Sequence, residues 1–227
     1  MTVITPKRKK QRRKIAVAAI VLGVIIFAFI WEAAHHGRDG RYPPRDFLET
    51  VQHELDEAYW IIPRFLTTNR YSRPGHRIRE VNAVVVHYVA NPGTTAEQNR
   101  NFFESLSDGR GVFASSNFII GLEGEVLQLI PVYEIAYASN HRNSDTVSIE
   151  ICHPDESGSF TSYTYASMVR LTAHLVYHFG LTADDIIRHY DVNGKLCPRY
   201  FVVNEDAWEA FRADVAEAVG NNRGIVS

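Results

Sequence analysis

The fold class is decided by one stretch of sequence, Ala83-Val84-Val85-Val86-His87-Tyr88-Val89. A run of mostly β-branched residues, without alternating polar residues, is typical of a strand that is buried on both faces. His87 is the only imidazole in this run and lies near its carboxyl end. Because a sheet covered on both faces needs helices on each side, we expect an α/β domain.

Helical and extended patterns alternate along the rest of this domain. Helix patterns begin at Asp46 and Thr94, cover 163–179 and follow Asn204, and strand patterns cover 117–121, 125–130 and 147–151. The first two helices start with capping-box signals, and the turn Leu122-Glu123-Gly124 between two strands predicts a hairpin. Strands interleaved with helices predict a central mixed β-sheet flanked by helices within residues 46–227.

The amino-terminal region differs from the domain in composition. Residues 1–14 contain seven Lys or Arg residues and no acid, and residues 15–31 are all apolar or small. A cleaved signal peptide is one reading, although its apolar region is usually only about 7–15 residues long. We expect instead a basic cytoplasmic tail (1–14), one N-terminal transmembrane helix in the lipid bilayer (15–34) and a linker (35–45). The protein would then be a single-pass cell-membrane protein with an extracytoplasmic domain.

The net charge of −2 hides an acidic domain. Without the seven basic residues of the tail, 17 of the 24 Lys and Arg residues remain against 26 Asp and Glu residues, a charge of about −9. Nucleic acid is therefore not an expected partner. The two cysteines, Cys152 and Cys197, are too few for a disulfide-stapled scaffold, so an apolar core must stabilise the domain.

The segment richest in reactive side chains is Arg188-His189-Tyr190-Asp191-Val192-Asn193-Gly194-Lys195-Leu196-Cys197-Pro198. Its Asn-Gly turn bends the chain back, so that His189 and Cys197 can point at one ion, and zinc binds both side-chain types. His87 is a third candidate, since ligand sites of open α/β sheets gather at the carboxyl ends of strands. The alternatives are a loop histidine, a core histidine and an inert buried thiol. Three protein ligands would leave one position for water, as in catalytic zinc sites.

Four segments together resemble the type-2 N-acetylmuramoyl-L-alanine amidases. They are Val84–Tyr88, Ser115–Ile120, Ser148–Cys152 and Arg188–Pro198, in the family's order and spacing, within a similarity from about Val81 to Phe201. The resemblance implies the fold shared by peptidoglycan recognition proteins and phage amidase endolysins, with peptidoglycan as the substrate. It also implies one Zn²⁺ per chain held by His87, His189 and Cys197, with Glu150 and Lys195 at the catalytic positions.

These residue types suit hydrolysis of the amide between N-acetylmuramic acid and L-alanine, the reaction that the resemblance implies. Zinc can lower the pKa of a bound water to about 7 and polarise the scissile carbonyl. Glu150 would take a proton from that water and pass it to the leaving amine. Lys195 would hold positive charge beside the developing oxyanion. Taken alone, Glu150 fits an exposed strand carboxylate and Lys195 a solvated turn residue.

The chain departs from the family at two neighbouring positions. Asn117 stands where many relatives have a histidine, and Ser116 stands where phage endolysins of this fold have a catalytic tyrosine. These departures favour a mechanism centred on Glu150.

Further candidates rest on position. Asn140, His141 and Arg142 precede the Glu150 strand and are predicted to contact substrate. Asp191 either orients a metal ligand or caps a turn. His174 and His178 are four residues apart on a helix, where they form a second metal pair or only flank the core. Cys152 is expected to be a core thiol and not a disulfide partner.

Two other function classes compete with a zinc amidase. A binding module of the same fold would recognise peptidoglycan without cutting it, and loss of the cysteine ligand would mark it. A cysteine hydrolase would use Cys197 as nucleophile and His189 as base. No helix is evident after Cys197-Pro198 that would lower the pKa of the thiol.

Overall fold

A computed structural model describes residues 45–109 and 111–226 of the chain. The predicted tail (1–14), the predicted transmembrane helix (15–34) and nearly all of the predicted linker (35–45) lie outside these residues. Within the two described ranges, no helix is both long and apolar enough to cross a bilayer.

The described residues form six strands and six α-helices. The strands are β1 (Ile61–Pro63), β2 (Ala83–Tyr88), β3 (Phe118–Ile120), β4 (Val126–Gln128), β5 (Thr146–Ile151) and β6 (Ile186–Arg188). The helices are α1 (Arg45–Asp56), α2 (Ala96–Ser105), α3 (Ser162–Phe179), α4 (His189–Asn193), α5 (Arg199–Val203) and α6 (Glu205–Val226).

The six strands form one mixed sheet in the order β1-β4-β3-β5-β2-β6. Strand β2 lies between β5 and β6 and is parallel to both, whereas β3 and β4 form the predicted antiparallel hairpin. The register places His87 of β2 opposite Glu150 of β5. Because parallel strands end at the same edge, His87, Glu150 and the residue that follows β6, His189, meet there.

Successive strand residues pack on opposite faces of the sheet. Phe118 and Ile120 of β3 belong to a large apolar cluster that includes Leu175 of α3 and Phe211 of α6. Ile119, which lies between them, belongs to a second cluster on the other face. Full burial of one such side chain contributes roughly 1.5–3 kcal/mol, so both layers hold the sheet in place. The predicted α/β architecture, a central mixed sheet flanked by helices, is confirmed.

The structure differs from the sequence prediction in three places. Strands β1 and β6, of three residues each, were not expected. The segment from Arg188 to Pro198 contains a helix, α4, which ends at Gly194 with a left-handed φ of +79°. Helix α2 uses Thr95, and not Thr94, as the first member of its capping box.

Candidate active site

The three predicted metal ligands, His87, His189 and Cys197, lie together at the carboxyl edge of the sheet. Their candidate ligand atoms all lie within 4.8 Å of one another. The two histidine Nδ1 atoms are 3.0 Å apart, and Sγ of Cys197 is 3.8 Å from Nδ1 of His87. Each of the three residues is buried, with at most 5% of its surface exposed. The three donor atoms therefore converge on one small buried volume.

The outer nitrogen of each histidine has its own partner. Nε2 of His87 lies 3.1 Å from Oγ of Ser139, and Nε2 of His189 lies 2.9 Å from Oδ1 of Asn140. An amide oxygen only accepts, so His189 donates from Nε2 and, when neutral, keeps its Nδ1 lone pair free. Asn193 donates to the same Asn140 oxygen at 2.8 Å. Outer partners of this kind fix the tautomer and orientation of metal-binding histidines.

A short capped helix positions His189. Oδ2 of Asp191 accepts the backbone N–H of Arg188 at 2.8 Å, and Oδ1 accepts from the Arg188 guanidinium at 3.0 Å. Arg188 also donates to Glu205, at 2.6 Å, and so connects the start of α4 to the start of α6. Of the two roles predicted for Asp191, the observed contacts are those of the cap. They fix the first turn of α4, in which His189 is the first residue.

The loop after α4 returns Cys197 to His189. The backbone N–H of Tyr190 donates to the carbonyl of Cys197 at 2.9 Å, and the N–H of Cys197 donates to the carbonyl of Lys195 at 2.7 Å. Helix α5 begins at Arg199, so the expectation that no helix follows Cys197-Pro198 is wrong. Burial nevertheless raises the pKa of the Cys197 thiol to about 12, with Glu150 as the next cause. This thiol is not activated as a nucleophile.

The charge states of the three residues suit a metal. Burial lowers the pKa of His189 to about 4, with a further contribution from the Lys195 cation. Burial also lowers the pKa of His87 well below its usual range, and His189 and Lys195 add to that effect. Both imidazoles are therefore neutral at pH 7. Two neutral imidazoles and one thiol that a cation can deprotonate are a donor set that zinc accepts, so these residues fit the ion.

Glu150 and Lys195 line the same cavity as the two histidines, with a volume of about 460 Å³. Glu150 is partly exposed, but its Oε2 is buried and has no hydrogen-bond partner among the described residues. Burial raises the pKa of Glu150 to about 8, and the Lys195 cation opposes that rise. The Glu150 carboxyl can therefore take up and release a proton near neutral pH.

The three residues predicted to contact substrate, Asn140, His141 and Arg142, differ in their position relative to the cavity. Asn140 lines the cavity, has a left-handed φ of +55° and binds His189. His141 is exposed, and Arg142 forms an ion pair with Asp145 at 2.9 Å. Neither His141 nor Arg142 lines the cavity. Substrate binding by these residues stays a prediction.

Ser116 and Asn117, the two positions that depart from the family, lie behind the cavity wall. Both are buried, and neither lines the cavity, whereas Ser115 does. Ser116 donates to the carbonyl of Ser148 at 3.1 Å, and Oδ1 of Asn117 accepts the Ser148 N–H at 3.0 Å. These bonds join the segment before β3 to β5, the strand that carries Glu150.

The other candidates lie elsewhere. The rings of His174 and His178 are 4.2 Å apart on α3, but they belong to no group of three potential metal ligands among the described residues. Cys152 is a buried free thiol 3.6 Å from Nδ2 of Asn99, which confirms the prediction of a core thiol.

Sequence reasoning missed Ser139 and Asn193 in this site. Asn193 lies one helical turn after His189 on α4, and recognition of that helix would have pointed to it. Ser139 reaches His87 across 52 positions of sequence, and no local pattern indicates such a contact.

The comparisons with known proteins agree with this geometry. A family model described as N-acetylmuramoyl-L-alanine amidase matches residues 77–200, more than half of the 227. A probable N-acetylmuramoyl-L-alanine amidase of Bacillus licheniformis is 31% identical over 179 residues, which cover 74% of this chain and 50% of that protein. The amidase CwlL of the same organism is 30% identical, over 71% of this chain and 48% of that protein. The chain thus spans about half the length of these curated relatives.

Solved structures share the fold. A mutant endolysin from Bacillus subtilis superposes with a TM-score of 0.58 at 24% identity, over 68% of this chain and 97% of that chain. The Staphylococcus aureus hydrolase AmiA, solved with its ligand, gives a TM-score of 0.58 at 14% identity, over 81% and 96%. The match to the family model, the shared fold and the converging ligand group agree: this chain belongs to the type-2 N-acetylmuramoyl-L-alanine amidase family.

Proposed function

We propose that this chain hydrolyses the amide bond between N-acetylmuramic acid and L-alanine in peptidoglycan, with one zinc ion in its active site. One observation carries the proposal. A single cavity of about 460 Å³ is lined by two of the three converging ligands, His87 and His189, together with a carboxyl group and an ammonium group, Glu150 and Lys195. This set of groups suits the hydrolysis of an unactivated amide, and the relatives of this chain carry the amidase name.

His87, His189 and Cys197 would hold the zinc ion. The bound ion supplies Lewis acidity for the scissile carbonyl and lowers the pKa of the attacking water. Ser139 and Asn140 keep the two imidazoles turned toward the ion, because they bind the outer nitrogens. Histidines that are held in position in this way should bind zinc more tightly than mobile histidines would.

Glu150 is suited to move the proton of the reaction. Its Oε2 has no protein partner among the described residues and so is free to accept a proton from water in the cavity. Burial raises its pKa to about 8, so the protonated carboxyl is an effective acid toward the leaving amine near neutral pH. One carboxyl group can therefore serve first as base and then as acid.

Lys195 is suited to stabilise negative charge. It lines the cavity, and its cation lowers the pKa of both His189 and Glu150, which shows that its charge reaches both groups. A fixed cation beside the scissile carbonyl would favour the tetrahedral oxyanion over the planar substrate. The backbone N–H of Lys195 donates to the side chain of Asn193 at 3.0 Å, which fixes the turn that carries it.

Neither competing class fits these residues as well. A binding module without zinc would lack the cysteine ligand, and Cys197 is present and lies 3.8 Å from His87. A cysteine hydrolase needs a thiolate at neutral pH, and burial raises the pKa of Cys197 to about 12.

Digestion of purified cell wall tests the proposal. The full-length protein, purified in detergent with zinc, should release peptides whose L-alanine amino group is new, and mass spectrometry should find unsubstituted N-acetylmuramic acid on the glycan. Glu150→Gln is the control for contaminating hydrolases. A chelator should abolish activity, and added zinc should restore it. A metal-free enzyme that is active and that a thiol alkylator inactivates would instead point to cysteine chemistry.

We also propose that residues 15–34 anchor the domain on the outer face of the cell membrane. The support is the apolar run of 15–31 and the seven basic residues before it, which favour a cytoplasmic amino terminus. Protease added to intact protoplasts should remove the domain and leave a membrane-bound stub. Complete protection, with the cells still intact, would contradict this orientation.

A further inference from the structure

The wall of the active-site cavity contains an exposed aromatic ring that the proposed chemistry does not use. Phe113 lies in an irregular segment before β3, lines the cavity and keeps 49% of its surface exposed. An exposed phenyl ring in the wall of a polar cavity offers an apolar face on which part of a ligand can pack.

Neighbouring rings hold Phe113 in a fixed position. The ring of Tyr137 meets it edge to face at a centroid distance of 5.5 Å, and the ring of Tyr71 lies at 5.2 Å. The guanidinium of Arg70 lies over the Tyr71 ring at 5.2 Å and 5.9 Å from the Phe113 centroid. Aromatic pairs at these distances stabilise a defined orientation.

The backbone around the ring is also tied down. The N–H of Ala114 donates to the carbonyl of Tyr71 at 3.2 Å, and the N–H of Ser115 donates to the carbonyl of Tyr137 at 3.1 Å. The N–H of Tyr137 donates in turn to Oγ of Ser115 at 2.8 Å. Phe113 is therefore a preorganised surface and not a loose loop residue, so little entropy is lost when a ligand packs on it.

Apart from Ser115 and the two histidines, His87 and His189, the residues that line the cavity fall into two chemical groups. One group is apolar or aromatic: Phe103, Phe113, Ala114, Tyr137 and Ala138. The other carries amide or charged groups: Asn140, Asn143, Glu150, Asn193 and Lys195. Peptide amides and carboxylates suit the second group, because they need hydrogen-bond donors and a cation. An uncharged pyranose ring, with C–H bonds on its flat face, suits the first.

We propose that Phe113, braced by Tyr137 and Tyr71, is the platform on which the sugar ring of the N-acetylmuramoyl group packs. The inference rests on the proposed function and deepens it, since it assigns the glycan side of the scissile bond to a specific surface. Phe113 is then a positioning residue: it holds the sugar so that the amide reaches Glu150 and the metal ligands, and takes no part in bond making.

Binding measurements separate this role from turnover. Ligand-detected NMR on the full-length protein with zinc would give the Kd of a peptide-free disaccharide of N-acetylglucosamine and N-acetylmuramic acid, and the Kd of the free stem peptide. Phe113→Ala should weaken binding of the disaccharide about tenfold, the loss expected for one aromatic contact. The Kd of the stem peptide should stay the same. Phe113→Trp should restore disaccharide binding, because it restores a flat ring.

Phe102 provides a matched control. It is a phenylalanine with the same 49% exposure, but it lies on α2 and does not line the cavity. Phe102→Ala should leave both Kd values unchanged, and thermal melting of each variant checks that the fold is kept. A Phe113→Ala variant that weakens the peptide instead, or neither ligand, overturns the inference, as does a wild type that binds no disaccharide. If the wild type binds the disaccharide but cuts no cell wall, the proposed function is wrong, whereas the inference about Phe113 is not contradicted.

Discussion

Two pairs of histidines in this domain look alike by simple measures and differ in what they can do. The rings of His87 and His189 have centroids 4.6 Å apart, and those of His174 and His178 are 4.2 Å apart. Burial is the first cause that lowers the pKa of all four side chains. Proximity and a lowered pKa therefore do not distinguish a metal site from a pair of packed rings.

The difference lies in where the nitrogens point. In the first pair, both Nδ1 atoms face one point and both Nε2 atoms have side-chain partners. In the second pair, Nε2 of His174 is buried without a hydrogen-bond partner among the described residues, and the His174 ring instead packs against Trp60 at 5.8 Å. A third donor, Cys197, joins only the first pair. Convergent lone pairs and anchored outer nitrogens are what a metal site needs, and only the first pair has both.

The largest expected effect tests this distinction directly. Cys197→Ser or His189→Ala should remove most of the bound zinc and reduce activity to background, since three ligands are the minimum set. His174→Ala and His178→Ala are the matched controls and should keep about one zinc per chain. Metal analysis of the dialysed proteins, with activity on purified cell wall, measures both. A metal-free wild type with full activity would end the zinc hypothesis.

The next effect concerns the groups around the ligands. Glu150→Gln keeps the shape of the side chain but cannot accept a proton, so kcat should fall about 10²–10⁴-fold while the zinc content stays the same. Lys195→Met should lower kcat about 10²–10³-fold with little change in KM, if its charge acts in the transition state. Zinc must be measured with the rate, to separate these residues from ligands. Near wild-type turnover of Glu150→Gln would place the base elsewhere.

A smaller effect is expected for the outer partner of His189. Asn140→Ala removes the acceptor that holds Nε2 and should weaken zinc binding about 10–100-fold without abolishing it. Competition with a chelator of known affinity measures the change. An unchanged zinc affinity in Asn140→Ala would mean that α4 alone orients His189.

The two histidine pairs also show which parts of the fold and the site could be predicted from the sequence. The strand that carries His87 and the segment from His189 to Cys197 are continuous in sequence, so their patterns predicted the sheet and made these residues candidate ligands, and the family resemblance implied the ligand set. The contacts that complete the site are not continuous. Ser139 meets His87, and Tyr71 and Tyr137 brace Phe113, through tertiary packing that leaves no periodic signal. Strand β6, which sets the start of α4, is only three residues long.

The smallest expected effect concerns His174 and His178, which belong to no group of three candidate ligands among the described residues. Burial lowers the pKa of His174 to about 4, from about 6.5 in an unfolded chain, with His178 and Arg170 as further causes. Between these two values the unfolded chain binds a proton that the folded chain does not. The stabilisation is therefore fully present above about pH 6.5 and is lost as the pH falls toward 4.

Because the His174 ring is partly exposed, the loss should be only about 1–2 kcal/mol of unfolding free energy. Urea titrations of the full-length protein at pH 7.5 and pH 5 should show a lower midpoint at pH 5. His174→Gln cannot titrate, so its midpoint should change less between the two values. His87 and His189 titrate in both proteins, and subtraction of the two pH differences removes their contribution. Equal pH differences would show that His174 exchanges protons in the folded protein as it does in the unfolded chain, and that its burial has no energetic consequence.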